Sequence, residues 1–235
     1  MSTVIITCQT IQREVNLAIS ETGVDYPILL VDSGLHNFPD QLGKAIQDQI
    51  DKVDNTDTIL MAFGFCGNGL LGIKARKARL IIPRADDCIT LMLGSYEVRK
   101  KVQKEVGTYF LTKGWLEYER NIISEYEGCV LRYGQARALR VMKIMLNHYR
   151  RLMVIDTKAY QLDEILNKTE SFAAAMGMQH EQYVGSMRFL NKLLAGPWGP
   201  EEFIILEPGR ELAFADMRID NYSIESSQFL SGFNS

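Results

Sequence analysis

Short apolar runs alternate with amphipathic stretches through the first part of the chain. Residues 4–7 are apolar and β-branched, and 9–19 repeat their apolar positions at helical spacing, which predicts a strand leading into a helix. Residues 27–31 form a second buried-strand run. Turn chemistry follows over 32–39, and Pro39-Asp40 opens a helix to about residue 53. A third strand is predicted over 58–63 with a helix beginning near Gly69. A fourth covers 79–82, and from Asp86 the chain reads as helical to about Gly94.

Strands that alternate with helices argue for βαβ units and a parallel sheet with right-handed crossovers. Their continuous apolar character fits a sheet covered on both faces. The middle differs: 96–106 and 116–126 are charged helical stretches, and 133–149 is a long basic amphipathic helix. Between them, Tyr109, Phe110 and Trp115 read as core or as a pocket wall. Strand character returns at 151–156 and 202–206, with helices near 162–176 and 186–194. His148 and His180 fall on helical stretches, facing solvent or packed. The fold class expected is therefore α/β, a doubly wound, mostly parallel sheet with a helical insert. Its parts are a first lobe over 1–95, the insert over 96–150, a part over 151–217 that completes the sheet or forms a second lobe, and a loosely ordered Ser/Asn-rich tail over 218–235.

Length and composition add bounds. The chain has 235 residues, enough for one sizeable core or two small domains sharing an interface, and its 46% apolar and 23% charged residues are those of an ordinary globular protein. A net charge of −3 gives no reason to expect nucleic acid as a partner. No apolar run is long enough to span a bilayer, and the first residues lack a basic segment or small-residue cleavage site, so a cytoplasmic protein is expected. In a reducing cytosol four cysteines are free, catalytic or metal-bound more often than disulfide-linked.

Cys8, His36, Cys66 and Cys88 each follow one of the first four strands, spaced 28, 30 and 22 residues apart, about one strand–helix unit each time. In a parallel doubly wound sheet all carboxyl ends lie on one edge, where ligands bind. The spacing thus puts three thiols and an imidazole on one rim, a donor set that suits zinc or iron. Four adjacent strands span about 14 Å, whereas a zinc–sulfur bond is about 2.3 Å. All four meet one ion only if their loops bend inward, and three ligands would leave an open position. Each residue also has a plainer reading: a strand-end cysteine as a small buried hydrophobe, His36 as a turn cap. Cys129 lies outside the pattern and reads as structural.

Gly67, Asn68 and Gly69, in a glycine-rich bend, can set backbone amides around an anion or allow close backbone approach to Cys66. The Lys-Ser/Thr of a phosphate-binding loop is missing. Asp87, beside Asp86, is an acid/base candidate or a helix cap, and Arg84 can bind a carboxylate or phosphate or pair with an aspartate.

At these positions the chain resembles an uncharacterised family found mainly in anaerobic bacteria and archaea, whose genes often neighbour corrinoid-dependent methyltransferase systems. The matching pieces are Cys8 with Glu14, Leu35-His36-Asn37-x-Pro39, Cys66-Gly67-Asn68-Gly69, Asp87-Cys88-Ile89, residues 107–112 and Arg151-Leu152-x-x-Ile155. The three cysteines and His36 fall on the family's own Cys and His positions. The resemblance implies a site and a setting in one-carbon metabolism, but no activity.

The expectation is a zinc or iron site that serves methyl transfer. A metal held by Cys66, Cys88 and Cys8 or His36 activates a thiol as methyl acceptor, with Asp87 and Glu14 orienting the ligands. A small molecule or a corrinoid protein would be the partner, and the rim can also bind the corrinoid itself. The alternatives are a non-enzymatic metal carrier or accessory protein, and a metal-free small-molecule binding domain. The insert helices offer a homodimer surface or a cover for the sheet.

Overall fold

The computed structural model describes residues 2–36, 38–104 and 107–218; Asn37, the end of the 96–106 stretch and the tail beyond Arg218 lie outside the described residues. The chain begins β1 (Thr3–Cys8), α1 (Gln12–Thr22), β2 (Ile28–Val31), α2 (Pro39–Lys52), β3 (Thr58–Ala62) and β4 (Arg79–Pro83). It continues α3 (Cys88–Leu93), α4 (Tyr96–Lys104), β5 (Thr108–Leu111), α5 (Lys113–Tyr118), α6 (Ile122–Tyr133), α7 (Gln135–Met145) and β6 (Arg151–Asp156). It closes with α8 (Asp163–Met176), β7 (Gln179–Val184), α9 (Arg188–Ala195) and β8 (Phe203–Leu206). None of the described helices is long and apolar enough to cross a membrane.

The strands form a mostly parallel five-stranded sheet in the order β2-β1-β3-β4-β8 and a parallel three-stranded sheet, β5-β6-β7. Among the described strands only β8 runs antiparallel, with Leu206 opposite Leu80 and Phe203 opposite Pro83. The continuous apolar strands have the explanation their pattern suggested. Side chains alternate across a strand, and Val4, Ile6 and Cys8 of β1 join one apolar layer with Leu42, Ile46 and Ile50 of α2. Ile5 faces the opposite layer, with Val15 and Ala18 of α1 and Leu190 and Leu193 of α9. β3 divides the same way, Ile59 and Met61 to one side, Leu60 and Ala62 to the other. Burying the three α2 residues stabilises by about 2 kcal/mol each, which holds a helix that would be marginal alone.

The second sheet shares this core. Phe110, Met153 and Ile155 belong to the same apolar layer as Ile5, Leu60 and Ile81, while Leu111 and Leu152 face a separate cluster with Ile123, Met142 and Phe172. The segment expected as a helical insert therefore contains a strand, β5, which pairs with β6. Residues 151–217 divide between the sheets, β6 and β7 going to the second and β8 to the first.

Other expectations are corrected in detail. No helix begins near Gly69: Cys66, Gly67, Asn68 and Gly72 all have positive φ, and a right-handed helix cannot propagate through left-handed residues. The 133–149 helix is broken at Gly134, whose φ and ψ of 76° and 158° are not helical. The 116–126 stretch is split by Asn121, which caps α6: its Oδ1 accepts the Ser124 N–H and its own N–H donates to the Ser124 hydroxyl. His180 lies on strand β7 and meets the Thr169 hydroxyl at 2.9 Å, and His148 lies in the turn after α7. The polar sequence of β7 hid its strand character, which pairing along β6 decides.

α5 crosses from the second sheet to the first, and its Gly114 lies against the turn after β1. A Cβ at Gly114 would sit 1.8 Å from the Thr10 carbonyl oxygen. Gly114→Ala is expected to cost about 3 kcal/mol through overpacking, read as a lower urea midpoint at unchanged slope.

Candidate metal and thiol centre

The carboxyl ends of β1, β2, β3 and β4 share one edge because these strands pair in parallel, and the loops there bend towards each other. Cys8 ends β1 and is 2% exposed. Its Sγ accepts from the Thr10 N–H at 3.4 Å and lies 3.1 Å from the Thr10 hydroxyl. His36 closes the 3₁₀ turn Ser33–Leu35 after β2, and its Nε2 is 3.2 Å from Cys8 Sγ. A third ligand atom comes from the other lobe: Glu119 Oε1 lies 3.3 Å from the same Nε2 and accepts from the Thr10 hydroxyl at 2.7 Å.

Cys66 and Cys88 extend this group along the rim. The ladder between β3 and β4 continues past both strands, with Phe65 N–H donating to Ala85 O at 2.7 Å and Cys66 N–H to Asp86 O at 2.9 Å. That approach needs Gly64, where a Cβ would meet the Asp87 carbonyl carbon at 2.4 Å. Cys66 is thereby brought into electrostatic interaction with both Cys88 and His36. Cys88 opens α3, whose first turn is capped by Asp87 Oδ1 accepting the Thr90 N–H at 3.0 Å.

The electrostatics follow from this crowding. The Cys88 thiol donates to Cys66 and holds the Cys66 thiol down at about 6, with His36 adding to the effect against the cost of burial. Cys88 moves the other way, raised by its bond to Cys66 and by burial. Burial opposes charge on His36, but bonds to Cys66 and Cys8 outweigh it and hold the imidazole protonated up to about 11. Burial raises the Glu119 carboxyl, with His36 working against the rise, and burial with the neighbouring Asp87 charge pushes Asp86 up to about 6. The pocket concentrates negative groups and retains a positive one at their centre.

That environment fits a metal cation. One ligand atom each from Cys8, His36 and Glu119 lies within 4.8 Å of the others. Sulfur and nitrogen ligands on one tetrahedral zinc would be about 3.6 Å apart given their bond lengths, close to the 3.2 Å between Cys8 and His36. This triad could hold an ion, with the Cys66 thiol against His36.

The other candidates occupy different places. Asp87 adjoins the cluster and acts electrostatically on both Cys66 and Cys88, while its Oδ2 pairs with Arg99 at 3.1 Å. Gly67, Asn68 and Gly69 line an open cleft of about 470 Å³ between α2 and the Cys66 loop, with Asp40, Lys44 and Leu71. Arg84 spends its donors on the carbonyls of Pro200, Asp216 and Arg218, at 2.7, 2.6 and 2.9 Å, and so ties down the chain after β8. Glu14, 1% exposed, accepts from the Thr157 hydroxyl at 2.8 Å at the end of β6. Cys129 is half-buried on α6. Glu119 and Thr10 were not singled out from sequence. Glu119 sits in a charged, surface-like run, Leu116 to Asn121, that carries no signal of burial.

These features define a class: an α/β protein with a thiol, imidazole and carboxylate cluster at the carboxyl edge of a parallel sheet. The chain belongs to the DUF1638 family, described as proteins of unknown function, whose profile matches residues 30–194. Comparison with curated proteins and with solved structures gives no match.

Burial raises the Glu14 carboxyl, against the Thr157 bond, and leaves its Oε2 without a partner among the described residues. The folded state thus favours the protonated form. Its stabilising effect is full below the ordinary glutamate value of 4.5 and is lost as pH rises through the raised folded value. Glu14→Gln removes that titration. Denaturant melts across pH should show the variant gaining on the native chain as pH rises above 4.5, with no such gain below it.

Proposed function

We propose that the protein binds one zinc or ferrous ion through Cys8, His36 and Glu119, with the Cys66 thiolate beside it as a fourth ligand or as the group the metal serves. The observation that carries this reading is the convergence of Cys8 Sγ, His36 Nε2 and a Glu119 carboxylate oxygen within 4.8 Å of one another, and the thiols that favour a proton on His36 favour a cation in the same place. When bound, such an ion acts as a Lewis acid and makes a coordinated thiol a thiolate at neutral pH.

The chain's own groups have separable tasks. Thr10 holds both Cys8 and Glu119 in place. Cys88 donates to the Cys66 thiolate, and Asp87 fixes the first turn of the helix that carries Cys88. A thiol-rich centre of this kind suits transfer of a methyl group to or from a thiol, with a corrinoid protein or small molecule as the other partner. The resemblance to a family encoded near corrinoid methyltransferases supports that setting.

Protein prepared without oxygen is expected to contain close to one zinc or iron per chain and to melt at a lower temperature after chelation. Cys8→Ser or His36→Ala should weaken metal affinity by about a hundredfold or more, and Thr10→Val by about tenfold, as loss of a ligand-orienting group does. Elemental analysis and competition with a chromophoric chelator measure both. Metal-free protein that gains neither metal nor stability when zinc or iron is supplied would overturn the proposal.

A further inference from the structure

Two of the arginines drawn into the fold each make several hydrogen bonds. Arg151, 7% exposed, donates from Nε to Thr108 at 3.1 Å, from Nη1 to Glu181 at 3.0 Å and from Nη2 to the Val102 carbonyl at 2.8 Å. Arg84 has three carbonyls. Arg99, on α4, departs from this. Its side chain is 12% exposed, and Nη2 pairs with Asp87 Oδ2. Nε and Nη1 are enclosed and have no hydrogen-bond partner among the described residues.

The guanidinium is nonetheless held in one position. Its carbon lies 4.4 Å from the centre of the Phe110 ring, and Asp87 fixes one of its nitrogens. Oxygens of the neighbouring aspartates take other donors: Asp87 Oδ1 the Thr90 N–H, Asp86 Oδ1 the Thr90 hydroxyl and the Asp87 N–H. An arginine carries its charge at all accessible pH and has only donors, so the two nitrogens call for an acceptor that the described chain does not provide. The position is also informative. Asp87 bridges this guanidinium to the thiol rim: it directly precedes Cys88 and caps that helix, its backbone lies against Gly64 beside the Cys66 loop, and its Oδ2 holds Arg99. Among the described residues no other buried arginine nitrogens are left unpaired.

We propose that Arg99 anchors the anionic end of the molecule processed at the thiol centre, its Nε and Nη1 receiving a carboxylate or a phosphate. This deepens the metal-centre reading and rests on it for the place of reaction. Arg99 would select anionic over neutral thiols or alkyl donors, and Asp87 would be a positioning residue that sets the guanidinium against the thiol rim. A guanidinium is planar and presents its N–H groups in one plane, and its place over the Phe110 ring fixes where they lie, which suits the planar or tetrahedral oxygens of such groups.

The test follows the Arg99 Nε–Hε resonance in native protein labelled with nitrogen-15 arginine, assigned from its contacts with the Phe110 ring so that no variant is needed to read it. The probes are 3-mercaptopropionate, 1-propanethiol and inorganic phosphate, each titrated into zinc-loaded and metal-free protein. A saturable shift with 3-mercaptopropionate but not with 1-propanethiol assigns a carboxylate, and a shift with phosphate assigns a phosphate. Either supports the proposal, and Arg99→Lys should then weaken the same probe by about tenfold. A resonance unmoved by both anions, or an Arg99→Lys protein that binds as tightly as the native chain, overturns it. Zinc content measured on the same samples reads the metal proposal separately, so one can fail while the other stands.

Discussion

The parallel pairing of β1 with β2 and β3, and of β3 with β4, is the constraint on which the rest of the molecule depends. Parallel strands end together on one edge, and each end is followed by a loop whose backbone groups no longer have ladder partners. In this chain those loops carry Cys8, His36, Cys66 and Cys88. The edge supplies nearness, while contact comes from particular local features: the turn that returns the Thr10 N–H to Cys8, the 3₁₀ turn that ends at His36, and the glycine that lets the Cys66 loop lie against Asp87.

Bringing thiols and carboxylates into a buried space is unfavourable without compensation, because removing charge from water is costly. The cluster answers with shared protons and one imidazolium. Cys88 gives its proton to the bond with Cys66, His36 keeps a positive charge between sulfur and carboxylate, and Asp86 is pushed towards the neutral form. An arrangement that restrains charge in this way is suited to exchanging a proton for a cation. Arg99 supplies a second positive group, paired with Asp87 at 3.1 Å.

The two sheets act as one body around this centre. Phe110, Met153 and Ile155 complete the apolar layer beneath the first sheet. Gly114 seats α5 on the turn after β1, the Ser33 hydroxyl donates to the Tyr118 carbonyl at 2.7 Å, and Asn121 holds the Glu119 carbonyl at 3.0 Å. These contacts deliver the Glu119 carboxylate to a pocket whose other candidate ligands, Cys8 and His36, come from the first sheet. Glu14 is a second polar link across the lobes, through Thr157, but at the end of β6.

Much of this was legible in the amino-acid order. Continuous apolar runs of four to six residues at regular spacing determined a parallel α/β sheet covered on both faces, and the recurrence of Cys or His after each run determined which loops to examine. The second sheet was legible only in its central strand, β6 at 151–156, because β5 is four residues long and β7 is mostly polar, so neither has a pattern of its own; pairing with β6 defines them. Nor did sequence separate Arg84, used on backbone carbonyls, from Arg99, left with unpaired nitrogens. Glu119 reads as a surface charge in a run of charges, and it becomes a ligand candidate only because α5 packs on Thr10. Local pattern reports what one element buries. Which polar group ends in a shared pocket depends on contacts between residues far apart in the chain, and these exist only once it has folded.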